Sequence, residues 1–230
     1  KFFTKKGSPT TNKKRFIDHI RNGKLFKVEY INDKPIDRKT EDEIINHLKE
    51  ELPKYDLVVL ADFGHGFISE NIIKTLEEYS KFLAANVQTN SANLGFNYIT
   101  KYNKLDYLTT NEYEIRLVLS DRFGDVADIT KQLVEKTKFN NVLLTRGKIG
   151  CLYVKDGNQF PGPSLTKDIK DVVGAGDAVF AVTSLLSHSG VDGELLTFIA
   201  NCIGAVAVNV MGNKKSIVKE DLIKFIGDLK

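Results

Sequence analysis

Residues 171–180, DVVGAGDAVF, decide how the rest of the chain is read. Gly174 and Gly176 flank Ala175, Asp177 follows, and Ala178, Val179 and Phe180 open an apolar helical pattern. Glycine admits positive φ and lets a ligand approach the main chain. A helix that begins there presents its unpaired N–H groups at the same place, which suits an anion such as phosphate. Asp177 sets a carboxylate beside that anion. The repulsion is tolerable where the carboxylate takes the proton of a nucleophile attacking the phosphate. Two other readings compete. A dinucleotide-binding GxGxxG turn would need its third glycine at Val179, so that fingerprint fails. A glycine turn that merely starts a buried helix remains open.

Working outward, strand and helix patterns alternate. Leu57-Val58-Val59-Leu60 is a short continuous apolar run, as in a strand buried on both faces of a parallel sheet. It ends in Ala61-Asp62-Phe63-Gly64-His65-Gly66, and a helix is predicted over 69–84. Strand-like residues near 105–109 lead to Asn111-Glu112-Tyr113-Glu114 and a helix through Leu119. A helix near 126–139 precedes a strand at Val142-Leu143-Leu144-Thr145, and Cys151 to Val154 form another. Later helices are expected over about 175–188, 193–210 (closed by Gly212) and 219–229. Upstream, Thr40 and Glu43 make a capping box for a helix whose Ile44, Ile45, Leu48 and Leu52 share one face up to Pro53. Residues 13–21 and 24–31 read as antiparallel strands around Asn22-Gly23. Such a hairpin is not stable alone, so it must lie on a larger body or pair with another subunit. The alternation predicts an α/β fold, a mostly parallel sheet with helices on both faces. Ligands in such sheets bind at the loops after the strands.

The 230 residues are 42% apolar and 27% charged, as in an ordinary globular protein. Net charge is +3, with 33 basic residues scattered among 30 acidic ones, so no nucleic-acid partner is expected. No run of apolar residues is long enough to predict a membrane span. Cys151 and Cys202 lie far apart in apolar runs and read as free thiols of a reducing compartment, the cytoplasm. The opening KFFTKKGSPTT lacks the apolar core of a signal peptide.

The glycine loop resembles the second signature of the ribokinase-like (PfkB) carbohydrate kinases, Asp-x-x-Gly-Ala-Gly-Asp, matched by Asp171, Gly174, Ala175, Gly176 and Asp177. The resemblance implies a three-layer fold with a small β lid, Asp177 as catalytic base, and Gly174, Ala175 and Gly176 as the anion hole for the transferring phosphoryl group. Asn111-x-x-Glu114 matches the family's Asn-x-x-Glu motif, which implies a Mg²⁺–phosphate network that Glu114 reaches through water. Mg²⁺ does keep several waters and prefers oxygen ligands. On the other reading, Glu112 and Glu114 are first-turn carboxylates that serve the helix dipole. Thr145-x-Gly147-x-x-Gly150 looks like the family's nucleotide-phosphate loop, with Thr145 and Gly147 as contacts; a tight turn without ligand is the alternative. Arg146 and Lys148 are expected to face solvent, within reach of phosphate. Ala200-Asn201 resembles the pair beside the adenine pocket, which makes Asn201 an ATP contact.

The 62–66 loop resembles the Asp-Tyr-Gly-Lys-Gly loop of bacterial heptose-phosphate kinases, a branch of the same family. Asp62 is therefore a candidate contact to substrate, and His65 stands where lysine is usual. Pro9-Thr10-Thr11, the hairpin as a sugar-covering lid, and the stretch 87–97, VQTNSANLGFN, are similar to that branch and to kinase domains fused to nucleotidyltransferases. The family's opening strands and Gly-Gly-Asn segment have no match. The expectation is an N-terminally truncated kinase domain, with residues 1–36 as the lid region and 37–230 as the α/β core. The implied function is ATP- and Mg²⁺-dependent phosphorylation of a sugar or sugar-phosphate hydroxyl by a homodimer paired through the lid. The alternative is a non-catalytic nucleotide-binding or assembly module of a larger bifunctional nucleotidyltransferase/kinase.

Overall fold

Buried apolar runs of five or six residues alternate with capped helices, and this rhythm sets the element order. The computed structural model describes residues 1–18, 23–166, 169–211 and 215–229. Its strands are β1 (Asn12–Asp18), β2 (Gly23–Tyr30), β3 (Val58–Asp62), β4 (Leu83–Val87), β5 (Tyr107–Asn111), β6 (Asn141–Thr145), β7 (Gly150–Lys155) and β8 (Asn158–Pro163). Its helices are α1 (Arg38–Glu51), α2 (Glu70–Tyr79), α3 (Glu112–Leu119), α4 (Val126–Thr137), α5 (Ala175–His188), α6 (Gly193–Ala207) and α7 (Lys219–Asp228).

β3 to β8 form one six-stranded sheet in that order. β3 to β6 run parallel, whereas β7 and β8 return antiparallel. Successive side chains point to opposite faces, and both faces of β4 to β6 are covered; β3, expected to be buried on both faces, is instead an edge strand that leaves Val59 46% exposed. Leu83, Ala85 and Val87 pack with Ile72, Ile115 and Leu133 beneath the helices α1 to α4. Ala84, Tyr107 and Leu143 turn the other way, onto Val179 and Phe180 of α5 and Leu196 and Ile203 of α6. The result is the expected helix–sheet–helix sandwich, with the ends of β3, β4, β5 and β6 gathered along one edge.

Several local expectations are corrected. α1 is capped by Asp37, whose carboxylate accepts from the N–H and the hydroxyl of Thr40 at 3.0 Å each. Thr40 is thus a partner of the cap, since a carboxylate three residues earlier competes better for the free N–H groups. The helix expected over 69–84 stops at Tyr79, and Leu83–Val87 is a fully buried strand in the sheet. Its two alanines suit a helix locally, but packing on both faces overrides propensity. The strand near 105–109 lies at Tyr107–Asn111, and α6 ends at Ala207. β8 was not expected. It carries Pro161 and Pro163, which a sheet tolerates only on an edge. The predicted turn at Asn22-Gly23 and the closing Gly212 fall on or against positions outside the described residues.

The hairpin of β1 and β2 is two-faced. Lys13 pairs with Glu29, Arg15 with Lys27 and Phe16 with Phe26, with a bulge after Phe16. Lys27 Nζ donates to Ser91 Oγ at 2.8 Å, which donates on to Glu29 Oε2 at 3.0 Å. The Lys13 ammonium lies 5.9 Å from the Phe63 ring centroid. The charged face is therefore turned toward the loops after β3 and β4. Phe16 and Phe26 stack on the opposite face, 4.4 Å between ring centroids. They remain 43% and 57% exposed, and Tyr30 beside them 58%. The root of the hairpin is held by Lys5, whose ammonium donates to the carbonyls of Asn32, Lys34 and His65, and by Ile36 N–H on the Gly66 carbonyl at 3.0 Å.

Candidate active site

The site assembles at the head of α5. Asp171, 4% exposed, accepts from the Val173 N–H at 3.0 Å and so folds the loop back on itself. Gly174 caps the helix with φ +79°, a left-handed conformation that costs any other residue about 1–2 kcal/mol. Ala175, Gly176 and Asp177 are the first three residues of the helix, where main-chain N–H groups have no helical partner. Asp177 Oδ1 accepts a 2.8 Å hydrogen bond from Gln88 Nε2 at the end of β4. Burial pushes the Asp177 carboxyl above the usual carboxylate range, against the Gln88 hydrogen bond and the positive charge of Lys13.

The motif divides between two clefts. Ala175 and Gly176 line one of about 370 Å³ together with Asn111, Thr145, Gly147 and Asn201. Gly174 and Asp177 line another of about 320 Å³, with Ile203, Ala207 and Lys215. Of the residues expected at the nucleotide, Ala175, Gly176, Asn111, Thr145, Gly147 and Asn201 meet in the first cleft, whereas Gly174 lines the second with Asp177. Ala200, Gly204 and Ala205 add small side chains to the first cleft, which leaves room for a flat ring. A Cβ on Gly176 would meet no protein atom within 4 Å. Asn201 donates to the Thr197 carbonyl at 2.9 Å and to Cys151 Sγ at 3.2 Å. Thr145 donates to the Thr110 carbonyl at 3.3 Å. Arg146 corrects its expectation of facing solvent: its Nε donates to Glu112 Oε2 at 3.0 Å, and Arg116 holds the other oxygen at 2.7 Å. Lys148 is exposed as expected.

Asn111 and Glu114 form a reciprocal capping box at α3. Glu114 is 4% exposed, and three protein donors meet its two oxygens: Thr110 hydroxyl at 2.9 Å, Asn111 N–H at 3.0 Å and Thr89 N–H at 3.0 Å. It therefore rivets the ends of β4 and β5 together. Burial pushes its pKa up, in spite of those hydrogen bonds. A carboxylate has about four acceptor directions, so Oε1 keeps one. That open direction fits one further contact, such as a water of a Mg²⁺ shell. Among the described residues no group of three or more His, Cys, Asp or Glu could hold a metal ion.

On the other side of Asp177 lie the loops after β3 and β4. Asp62 is 1% exposed. Its carboxylate accepts from Gly64 N–H at 2.9 Å and Tyr102 hydroxyl at 2.7 Å, and pairs with Lys101 at 2.5 Å. The expected substrate contact is thus already engaged by protein groups and anchors its loop. Gln88, Asn90, Asn93 and Asn97 knit the two loops together. Asn90 and Asn93 donate to the Phe63 carbonyl at 2.8 Å each, and Asn97 donates to the Gln88 carbonyl at 3.0 Å. A Cβ on Gly64 would overlap Asn93 and Asn97. Sequence reasoning assigned none of these amides a role. The available signal was four amide side chains within ten residues of a buried strand.

Residues 17–220 match the pfkB family carbohydrate kinase model. The bifunctional protein HldE of Wolinella succinogenes is 27% identical over 215 residues, covering 91% of this chain and 44% of that protein. The bifunctional protein HldE of Campylobacter fetus is 31% identical over 176 residues, covering 75% of this chain and 37% of that protein. The chain thus spans less than half the length of these relatives. Among solved structures, ribokinase from Thermotoga maritima superposes with a TM-score of 0.72 at 19% identity, over 96% of this chain and 70% of that one. Arabidopsis thaliana ribokinase complexed with ribose and ATP gives 0.72 at 16% identity, with the same coverage of 96% and 70%. The fold is ribokinase-like. With the Asp-x-x-Gly-Ala-Gly-Asp loop at the head of α5 and a family match over most of its length, the chain belongs to the pfkB family of carbohydrate kinases.

Proposed function

We propose that the protein transfers the γ-phosphoryl group of ATP to a hydroxyl of a sugar or sugar phosphate. The observation that carries this reading is the placement of Asp177: a carboxylate at a helix head, beside a cleft built from main chain and small side chains. ATP occupies the 370 Å³ cleft, with its ring end toward Asn201 and its phosphates toward Thr145, Gly147 and the N–H groups of Gly174, Ala175 and Gly176. Mg²⁺ bound with the triphosphate would offset its charge, and Glu114 would hold that ion through water. Asp177 takes the proton of the acceptor hydroxyl while that oxygen forms its bond to the γ-phosphorus. The bond from phosphorus to the β,γ-bridging oxygen breaks, and ADP leaves. The amides at the helix head stabilise the charge that spreads over the transferring group.

The acceptor lies under the hairpin, so residues 1–36 act as lid and 37–230 as core of one kinase unit. Lys13, Arg15 and Lys27 outnumber Glu29 on the inner face of the hairpin, which suits an acceptor that carries a phosphate. Asp62 shapes that pocket by fixing its loop. The outward aromatic face of Phe16, Phe26 and Tyr30 takes a second copy of the chain, because a lid with exposed aromatics on its far side gains most by pairing. Two buried free thiols, Cys151 and Cys202, suit a cytoplasmic protein.

Asp177→Asn tests the mechanism in the full chain. Phosphoryl transfer should fall by on the order of 10²- to 10⁴-fold, while ATP binding by calorimetry persists, because the helix-head amides remain. In the wild type, turnover should decline on acidification from a pH above that of an ordinary aspartate, since the base must be ionised and burial raises its pKa. Near-normal turnover by Asp177→Asn would overturn Asp177 as the base, whereas a wild type that binds ATP but transfers nothing would favour a nucleotide-binding module.

A further inference from the structure

Gln88 follows β4 directly and reaches across the mouth of the site. Its side-chain amide donates to Asp177 Oδ1 at 2.8 Å. Its main chain is held on both sides: the N–H donates to the Asp62 carbonyl at 2.9 Å, and the carbonyl accepts from Asn97 Nδ2 at 3.0 Å and Asn93 Nδ2 at 3.3 Å. Those asparagines also grip the 62–66 loop, where Gly64 leaves them room. One residue thus joins the loops of the acceptor side to the head of α5.

We infer that Gln88 is the positioning residue of the base: it fixes one oxygen of Asp177, leaves the other to receive the proton, and makes the orientation of the base depend on the loops of the acceptor side. The inference rests on Asp177 being the base. A carboxylate at the head of a helix otherwise rotates freely about two side-chain torsions. A donor on Oδ1 removes that freedom, and its main-chain bonds keep the donor itself in register. The charged groups facing Asp177 from elsewhere are few. Lys13 approaches from the hairpin, and Lys215 lines the same cleft but is paired with Asp221 at 2.8 Å. α6 contributes only the apolar Ile203 and Ala207 to this cleft. A hydrogen bond to the ionised form favours that form. Loss of the Gln88 amide should therefore move the titration of Asp177 to higher pH.

The test is a carbon-detected NMR pH titration of the Asp177 carboxyl in the full-length wild type and in Gln88→Met. The substitution leaves the three main-chain hydrogen bonds of Gln88 in place. The midpoint should rise in Gln88→Met, and Gln88→Asn, whose amide is one methylene short, should give the same displacement. Turnover of D-fructose 6-phosphate or D-ribose with ATP should fall about tenfold, the loss of roughly one hydrogen bond's free energy, with the acidic limb of kcat/KM moved the same way. Equal midpoints in all three proteins would overturn the inference. Failure of the underlying reading looks different: the wild type would then transfer nothing, or Asp177→Asn would retain transfer, whatever the titrations show.

Discussion

The two sides of Asp177 are built by different means. The side proposed for the nucleotide is made of main chain and small residues: Ala175, Gly176, Thr145, Gly147, Ala200 and Gly204, with Gly174 at the helix cap. Little there depends on a side chain holding another side chain. The acceptor side is the reverse, with Asp62, Lys101, Tyr102, Gln88, Asn93 and Asn97 bonded to one another and to two loops. The contrast teaches where chemical variety resides. Phosphate is the same in every nucleotide and is met by amides that any sequence supplies. The acceptor differs from enzyme to enzyme, so its pocket is written in exchangeable side chains.

This contrast can be broken most strongly at Asp62. Asp62→Ala leaves Lys101 and Tyr102 without their shared partner and should destabilise the protein by about 3 kcal/mol, read as a loss of denaturation midpoint. ATP affinity in the folded fraction should hardly change. A fall in ATP affinity equal to the loss of acceptor binding would mean that the two sides are one unit. On the nucleotide side, Gly176→Val should do the opposite. A Cβ there meets no protein atom within 4 Å, so the melting temperature should stay within a few degrees. Because the new side chain fills the space in front of the helix head, ATP affinity should drop about tenfold, roughly 1.4 kcal/mol. Unchanged ATP binding would place the triphosphate elsewhere. The smallest effect on stability is expected at the hairpin. Phe26→Ser alters an exposed aromatic and should change monomer stability within about 0.5 kcal/mol, yet sedimentation should show a dimer lost at micromolar concentration. A wild type that sediments as a monomer at high concentration would remove the lid pairing from the proposal.

How much was legible varied with the range of the interactions. The glycine loop, the Asn111-x-x-Glu114 pattern and the Thr145–Gly150 turn are local patterns and were read from the sequence, though that Asn111 and Glu114 close a capping box emerged only from the structure. The helix over 175–188 was read at its observed bounds because its period and its glycine start are both local. The strand Leu83–Val87 was missed, since two alanines beside a helix look helical until sheet neighbours on both sides are counted. β8 was missed because its prolines and polar residues make sense only on an edge. Asp62 was read as a substrate contact from the resemblance of its loop, and the protein groups that engage it were not foreseen. Its partners, Tyr102 and Lys101, lie some forty residues away and share no pattern with it.

The sequence by itself determined the α/β alternation, the glycine-started helix head and the identity of the candidate base, because glycine, caps and apolar periodicity act over a few residues. The tertiary structure alone decided which cleft each residue faces, which carboxylates are already engaged, and that Gln88 holds Asp177. Those facts depend on atoms brought within 3 Å from positions as far apart as 88 and 177, and only the packed sheet sets that distance.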